Sequence, residues 1–335
     1  MTPLRSSSDR KNLEKKMMFS RTKVGKQNRQ RFSTIVTLLV FLYLSLAACS
    51  SSTTAKQKEF QSPSDAVQSF VTALKTGDDK ELLSIFGPEA NELIFSGDKV
   101  ADQARKKLFL KDYGEQNRID PDGDKFVLVI GKNEWPFPIP LVNKGDRWLF
   151  DTASGKEEIL NRRIGRDELY TIQVLLAIVD AQREYAMEDR DNDSLLEYAQ
   201  KFGSEPGKKD GLYWETKEGE ESSPLGELVA NARAEGYASQ GVQNNQEPYH
   251  GYYYRILTAQ GQNASDGAYD YVVNGKMIGG FAVVAYPAEY ANSGVMTFIV
   301  NHDGVIYQKD LGKNTEELAK ALQLYDPDQT WTPVQ

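Results

Sequence analysis

Two turn dipeptides restrict the fold of this chain more than any other feature. Asn274-Gly275 and Asp303-Gly304 each lie between strand-like runs. Such pairs suit tight hairpin turns, whose central residues need positive φ. "AYDYVVNGKMIGGFAVVAYPA" and "GVMTFIVNHDGVIYQKDLG" are therefore expected to form an antiparallel meander, with Gly279 and Gly280 bending the sheet or marking a bulge. Ahead of it, "DELYTIQVLLAIVDAQREYAME" places Leu169, Ile172, Leu175, Leu176 and Val179 at helical spacing on one face. Asp167 and Glu168 suit the start of that helix, where the macrodipole favours acidic groups. "TEELAKALQLY" predicts a final helix.

The first half repeats the order of helix then meander. "SPSDAVQSFVTALKTGDDKELLSIFG" aligns Ala66, Val67, Phe70, Val71 and Leu74, with Ser62 and Pro63 as a capped start and Gly77 as a stop. Asp78 is placed to cap a second helix, "DKELLSIF". "DKFVLVIG", "WPFPIPLVNKG" and "DRWLFDT" predict three strands, and prolines 136, 138 and 140 mark the middle one as an edge or irregular strand. The fold class is thus α+β: a small helix-plus-meander cone over 61–160, then a long helix packed on an antiparallel sheet over 165–335.

Charge is unevenly placed. Residues 1–48 hold ten Lys/Arg and two acids, and the remaining 30 basic and 46 acidic residues give the rest of the chain a net charge of −16. A body that acidic repels phosphate backbones, so nucleic acid is not an expected partner. Cys49 is the single cysteine of the sequence, which excludes an intramolecular disulfide and a thiolate metal cluster.

The surroundings of Cys49 give that residue a purpose. A cationic segment precedes an apolar run from Ile35 to Ala48. That run is shorter than the roughly 20 residues a membrane span needs, and its length suits a signal peptide. "Leu46-Ala47-Ala48-Cys49" resembles the lipobox of bacterial lipoproteins. The resemblance implies cleavage before Cys49, with residues 1–48 as signal peptide, followed by diacylglycerol on the thiol and acylation (palmitate-like) of the new amine. Several acyl chains anchor stably, at about 0.8 kcal/mol per buried CH₂. Ser50 stands where an inner-membrane retention signal has Asp, which implies an outer-membrane lipoprotein facing the periplasm. Residues 49–60 are polar and unpatterned and read as a flexible tether. The leader is oddly long, which leaves the start open among Met1, Met17 and Met18.

Several segments carry family resemblances. "AVQSFVTALKTGD" and the strands after it are similar to the cystatin-like cones of the nuclear transport factor 2 type, which implies a ligand-binding or docking module. The helix, "AQREY", loop and meander are similar to the globular head of type IV pilins and pseudopilins, here without their apolar N-terminal helix. "AQREYA…EYAQKFGSEPGKKDGLYW", "YHGYYYRIL" and "NGKMIGGFAVVAYPAEYANSGVMTFIVNHDGVIYQKDLG" together resemble bacterial domain of unknown function family 2950, from about residue 60 to the end. That family name implies no activity.

Candidate chemistry is sparse. In "DRDNDSLLEYAQKF", Asp189, Asp191 and Asp193 alternate as in a calcium loop, and Glu197 takes the ninth place. Ser194 replaces the glycine and Gln200 the bidentate glutamate of an EF-hand. The loop is therefore at most a weak calcium site, and the competing reading makes Asp193 the cap of a helix "SLLEYAQKF". His250 lies among Tyr249, Tyr252, Tyr253 and Tyr254, and His302 in a hairpin turn. A His–Asp pair joined with Ser293 would make a hydrolase triad, but nothing in the sequence places them together and "ANSGV" lacks the nucleophile elbow. No catalytic residue is assigned. The expected function is a lipid-anchored, non-enzymatic binding or scaffolding protein contacting another envelope protein or a cell-wall component. The alternative is a periplasm-facing hydrolase using His250 or His302.

Overall fold

The computed structural model describes residues 56–217, 219–238 and 247–334. Cys49, the expected signal peptide and the expected tether up to residue 55 lie outside the described residues. Hydrogen bonding to the folded body begins at Gln57, ahead of the expected boundary at 60. The Gln57 side chain donates to the carbonyls of Ile85 (2.9 Å) and Phe150 (2.7 Å), and Phe60 exchanges backbone bonds with Trp148.

Helix α1 (Pro63–Thr76) starts as its sequence implies: Ser62 caps it by accepting from Asp65 N–H, and Gly77 ends it at φ 68°. Helix α2 (Asp79–Phe86) is capped by Asp78, which accepts from Glu81 N–H. After a short helix α3 (Asn91–Ile94) comes α4 (Lys99–Glu115), which the sequence pattern did not disclose. Nearly half of its residues are charged, and Asp102 is its one buried residue, so no apolar stripe announces it. Strands β1 (Asn117–Asp122), β2 (Lys125–Ile130), β4 (Leu141–Lys144) and β5 (Arg147–Phe150) form an antiparallel sheet in that order. The proline-rich β3 (Trp135–Pro136) pairs only with β2, as an edge piece.

Helix α5 (Thr152–Tyr185) then runs for 34 residues. The interval between the two expected domains, 160 to 165, lies inside it. The expected helix start at Asp167 is corrected: the N-cap is Asp151, which accepts from Ser154 N–H, and Asp167 sits in mid-helix. The expected apolar stripe is corrected too. Leu175 and Val179 are buried, but Leu169 and Leu176 are exposed. The buried face runs through Thr152, Gly155, Arg163, Asp167 and Thr171 and turns apolar only at Val174 and Ile178.

Beyond α6 (Gly226–Glu235), strands β6 (Tyr252–Leu257), β11 (Ala282–Pro287), β12 (Met296–Asn301), β13 (Tyr307–Asp310) and β14 (Thr332–Pro333) form a second antiparallel sheet, in the order β14-β13-β12-β11-β6. Two small ladders flank it. One is β7 (Ala259–Gln260) with β8 (Tyr269–Asp270), and the other is β9 (Val272–Val273) with β10 (Lys276–Met277). Asn274 and Gly275 take φ of 52° and 83° between β9 and β10, the geometry expected of an Asn-Gly hairpin. Helix α7 (Thr315–Ala321) packs on β11.

Each half keeps its own apolar core, one around Phe70, Phe86 and Phe150, the other around Leu175, Tyr252 and Phe298. Residues 55–335 nevertheless form one compact unit. The two cores meet across a polar seam along the N-terminal half of α5. Among the described residues, no helix is long and apolar enough to cross a membrane.

Candidate functional site

The first core does not close on itself. Helices α1, α2, α4 and α5 and the end of β2 surround a cavity of about 730 Å³. Its floor is an aromatic cluster, with Phe70 at 4.9 Å from Phe86, 5.0 Å from Phe109 and 5.3 Å from Phe137, centroid to centroid. Trp135, with the Arg162 guanidinium over its ring at 5.7 Å, stands on the rim. Cavities of this size with apolar walls and a few convergent polar groups are the usual form of a small-molecule site.

The polar groups are cationic. Seven Lys/Arg side chains line the cavity against three acids, in a body whose overall charge is strongly negative. Arg163 is the most deeply set, at 3% exposure. Its Nη1 donates to the Glu92 carbonyl (2.6 Å) and to Asn292 Oδ1, and its Nη2 donates to the Leu93 carbonyl (2.6 Å). Its Nε–H has no partner among the described residues. Burial, then the neighbouring Arg105, pull this guanidinium down to about 10, so it stays cationic at neutral pH.

Behind this wall runs the seam. Arg105 bridges two buried carboxylates, donating to Asp102 (2.8 Å) and to Asp167 (3.1 Å). Asp102 also accepts from Ser96 N–H and Ser96 Oγ. Burial pushes Asp167 up to about 6, against the opposing pull of Arg105 and Arg166. Asp98, 1% exposed, accepts from Ala101 N–H, Tyr237 Oη and Gly251 N–H. The sequence held one signal for this site. Arg162, Arg163 and Arg166 form a basic cluster in an acidic body, and 163 and 166 share a helix face.

The acidic loop is brought together. One carboxylate oxygen each from Asp189, Asp191 and Asp193 lies within 4.8 Å of the others. The ammonium of Lys276, from the β9–β10 hairpin, is seated there, paired with Asp191, with Asp193 (2.6 Å) and with Glu197 (3.1 Å). A calcium ion at these oxygens would have to displace it. The helix expected after Asp193 does not form. Asp189 instead accepts from Asp193 N–H and Ser194 N–H, and Asp193 accepts from Leu195 N–H, with Asn192 and Ser194 at positive φ. Backbone bonds, chiefly from Ser194, hold the Asp189 carboxyl below its usual range.

The histidines and Ser293 make separate contacts. His250 stacks on Tyr170 at 4.4 Å, and its Nε2 lies 3.1 Å from Glu235 Oε2. Burial lowers His250 to about 4 and raises Glu235, so at neutral pH the ring is uncharged and the contact is no ion pair. His302 lies edge-on to Tyr271, with its Nδ1 buried and without a partner among the described residues. The Ser293 hydroxyl accepts from Glu289 N–H and donates to the Glu289 carbonyl, closing its own turn. Neither imidazole hydrogen-bonds to it among the described residues.

Fold and cavity define an α+β protein with two cores and a large, mainly apolar pocket in the first. The family described as "Protein of unknown function (DUF2950)" matches residues 57–334, and the chain belongs to it. No curated protein and no solved structure matches the chain, so the likeness to transport-factor cones and pilin heads rests on sequence alone.

Proposed function

We propose that this chain is a lipid-anchored protein of the bacterial envelope that works by binding, and that the cavity of its first half holds the ligand. The observation that carries this reading is the 730 Å³ space walled by Phe70, Phe86, Phe109 and Phe137. Apolar side chains left facing a space of that size forfeit contacts that a fitting ligand restores. Anchoring through Cys49 to the outer membrane, with the body in the periplasm, is supported by the signal segment and lipobox. It would hold the cavity close to a membrane, another envelope protein or the cell wall.

Membrane fractionation of the full chain, with Cys49→Ser as control, tests the anchor: the variant is expected to leave the membrane fraction. Titration of the full chain with small apolar ligands tests the cavity. Phe109→Trp, which narrows the space, is expected to weaken any binding by about ten-fold or more. Binding that ignores this substitution places the ligand elsewhere. For the acidic loop, the convergence of three carboxylates supports a second, minor role as a weak calcium site in competition with Lys276.

A further inference from the structure

Building on the cavity reading, we propose that the ligand is amphipathic: an apolar chain or ring system ending in a single acidic head, carboxylate or phosphate, that docks on Arg163 and Arg166. Three observations converge on this class. The floor and walls are aromatic and aliphatic, so the body of the ligand must be apolar. Six of the seven cationic side chains come from α4 and α5, and Arg105 of α4 reaches Asp167 of α5, so these two helices give the polar end a cationic wall.

The third observation is the state of Arg163. A guanidinium with 3% exposure ordinarily has its donors paired, because an orphaned buried donor loses its water without compensation. The Nη groups of Arg163 are held by two carbonyls and Asn292, which fixes the plane of the fork. The Nε–H is left over in a residue that lines the cavity. Carbonyls and an amide supply no negative charge, so this cation has no counter-ion within hydrogen-bonding reach among the described residues. Arg105 is committed to Asp102 and Asp167, whereas Arg166 has only a long 3.7 Å approach to Asp167. An acid head at this wall would place a negative charge beside Arg163, which no carboxylate bonds among the described residues, and beside Arg166, whose one approach to a carboxylate is long. A neutral alcohol would bring no such charge.

Isothermal titration of the full chain in nanodiscs, with empty nanodiscs as blank, decides the matter using decanoate, decyl phosphate and decanol. At least one acid is expected to bind saturably, about ten-fold or more tighter than decanol, the usual scale for a hydrogen bond to a charged group. The acid that binds tighter distinguishes free fatty acids from phosphate-headed lipids. Arg163→Met and Arg166→Gln are expected to lower acid affinity towards that of decanol while leaving decanol unchanged. Arg166 is half exposed and holds no buried carbonyl, so its substitution reads the charge even where Arg163→Met disturbs the seam. Equal binding of acid and alcohol, unaffected by both variants, would overturn the acid head and leave the cavity reading standing. Absence of saturable binding by all three probes would overturn both.

Discussion

The phenol of Tyr237 donates to Asp98 Oδ2 across 2.8 Å, joining a residue that follows α6 to the N-cap of α4 in the other half of the protein. The same carboxylate accepts from Gly251 N–H at 2.9 Å, and its other oxygen caps α4 through Ala101 N–H at 2.9 Å. Three donors from two halves therefore converge on one buried charge. Asp98→Ala is expected to cost about 3 kcal/mol or more, because it removes a cap and strands two buried donors. Tyr237→Phe removes only one bond and is expected to cost about 1–2 kcal/mol. Urea denaturation checks both values, and a loss below about 1 kcal/mol for Asp98→Ala would show that the seam is solvated.

Gly155, in the second turn of α5, is packed against bare backbone. A Cβ there would lie 2.4 Å from the Pro138 carbonyl oxygen and 2.7 Å from Ile139 Cα. Alanine is a better helix former by about 1 kcal/mol, so propensity alone predicts a gain. The clash is with main chain, which cannot swing aside, and α5 must move off the segment joining β3 to β4 instead. Gly155→Ala is therefore expected to destabilise by about 1–3 kcal/mol. Because Ile139 also lines the cavity, the variant should bind cavity ligands less tightly. A rise in melting temperature would contradict the packing.

The parts of this fold that were legible in the sequence are those in which local chemistry and tertiary packing agree. Ser62, Gly77 and Asp78 cap or stop helices where their side chains and φ angles say they should, and Asn274-Gly275 turns a hairpin. Helix α4 was hidden because its inward face carries Asp102 and Arg105, and a buried ion pair reads in sequence as solvated surface. The start of α5 was hidden for the same reason: Arg163 and Asp167 occupy core-facing positions that an apolar pattern skips. The cavity combines both blind spots. Its apolar residues looked like ordinary core, and its arginines looked like surface. The converging aspartates were legible, but their partner Lys276 comes from a hairpin 83 residues beyond Asp193, a pairing that spacing cannot reveal.

That pairing makes a prediction about cations. Lys276→Met leaves Asp191, Asp193 and Glu197 without their shared ammonium, and the melting temperature is expected to fall most at low salt. Calcium should restore it. In the unsubstituted protein calcium must first displace the ammonium, so its effect is expected to be smaller. Asp191→Ala should abolish the response in either background. Equal calcium shifts with and without Lys276 would show that the ion binds elsewhere.

Two buried groups on the seam titrate in opposite senses. His250 is lowered to about 4 by burial, with Asp98 opposing and Arg105 and Arg166 assisting the shift. Its unfolded value is near 6.5, so between 6.5 and 4 the unfolded chain binds more protons, and His250 makes stability fall as pH falls through that window. Asp167 is raised to about 6 from an unfolded value near 3.8, so between 6 and 3.8 the folded chain binds more protons. Asp167 therefore makes stability rise as pH falls. Each contribution is at most about 3 kcal/mol, and over the shared range they largely cancel. The unsubstituted protein is expected to show a shallow pH dependence from 6 to 4. His250→Asn, chosen because asparagine tolerates the φ of 49° at that site, should leave a protein that grows more stable on acidification. Asp167→Asn should do the reverse and steepen the acid loss. Urea midpoints at pH 7, 5.5 and 4.5 separate the two slopes, and parallel pH curves for both variants would show that neither group is buried as described.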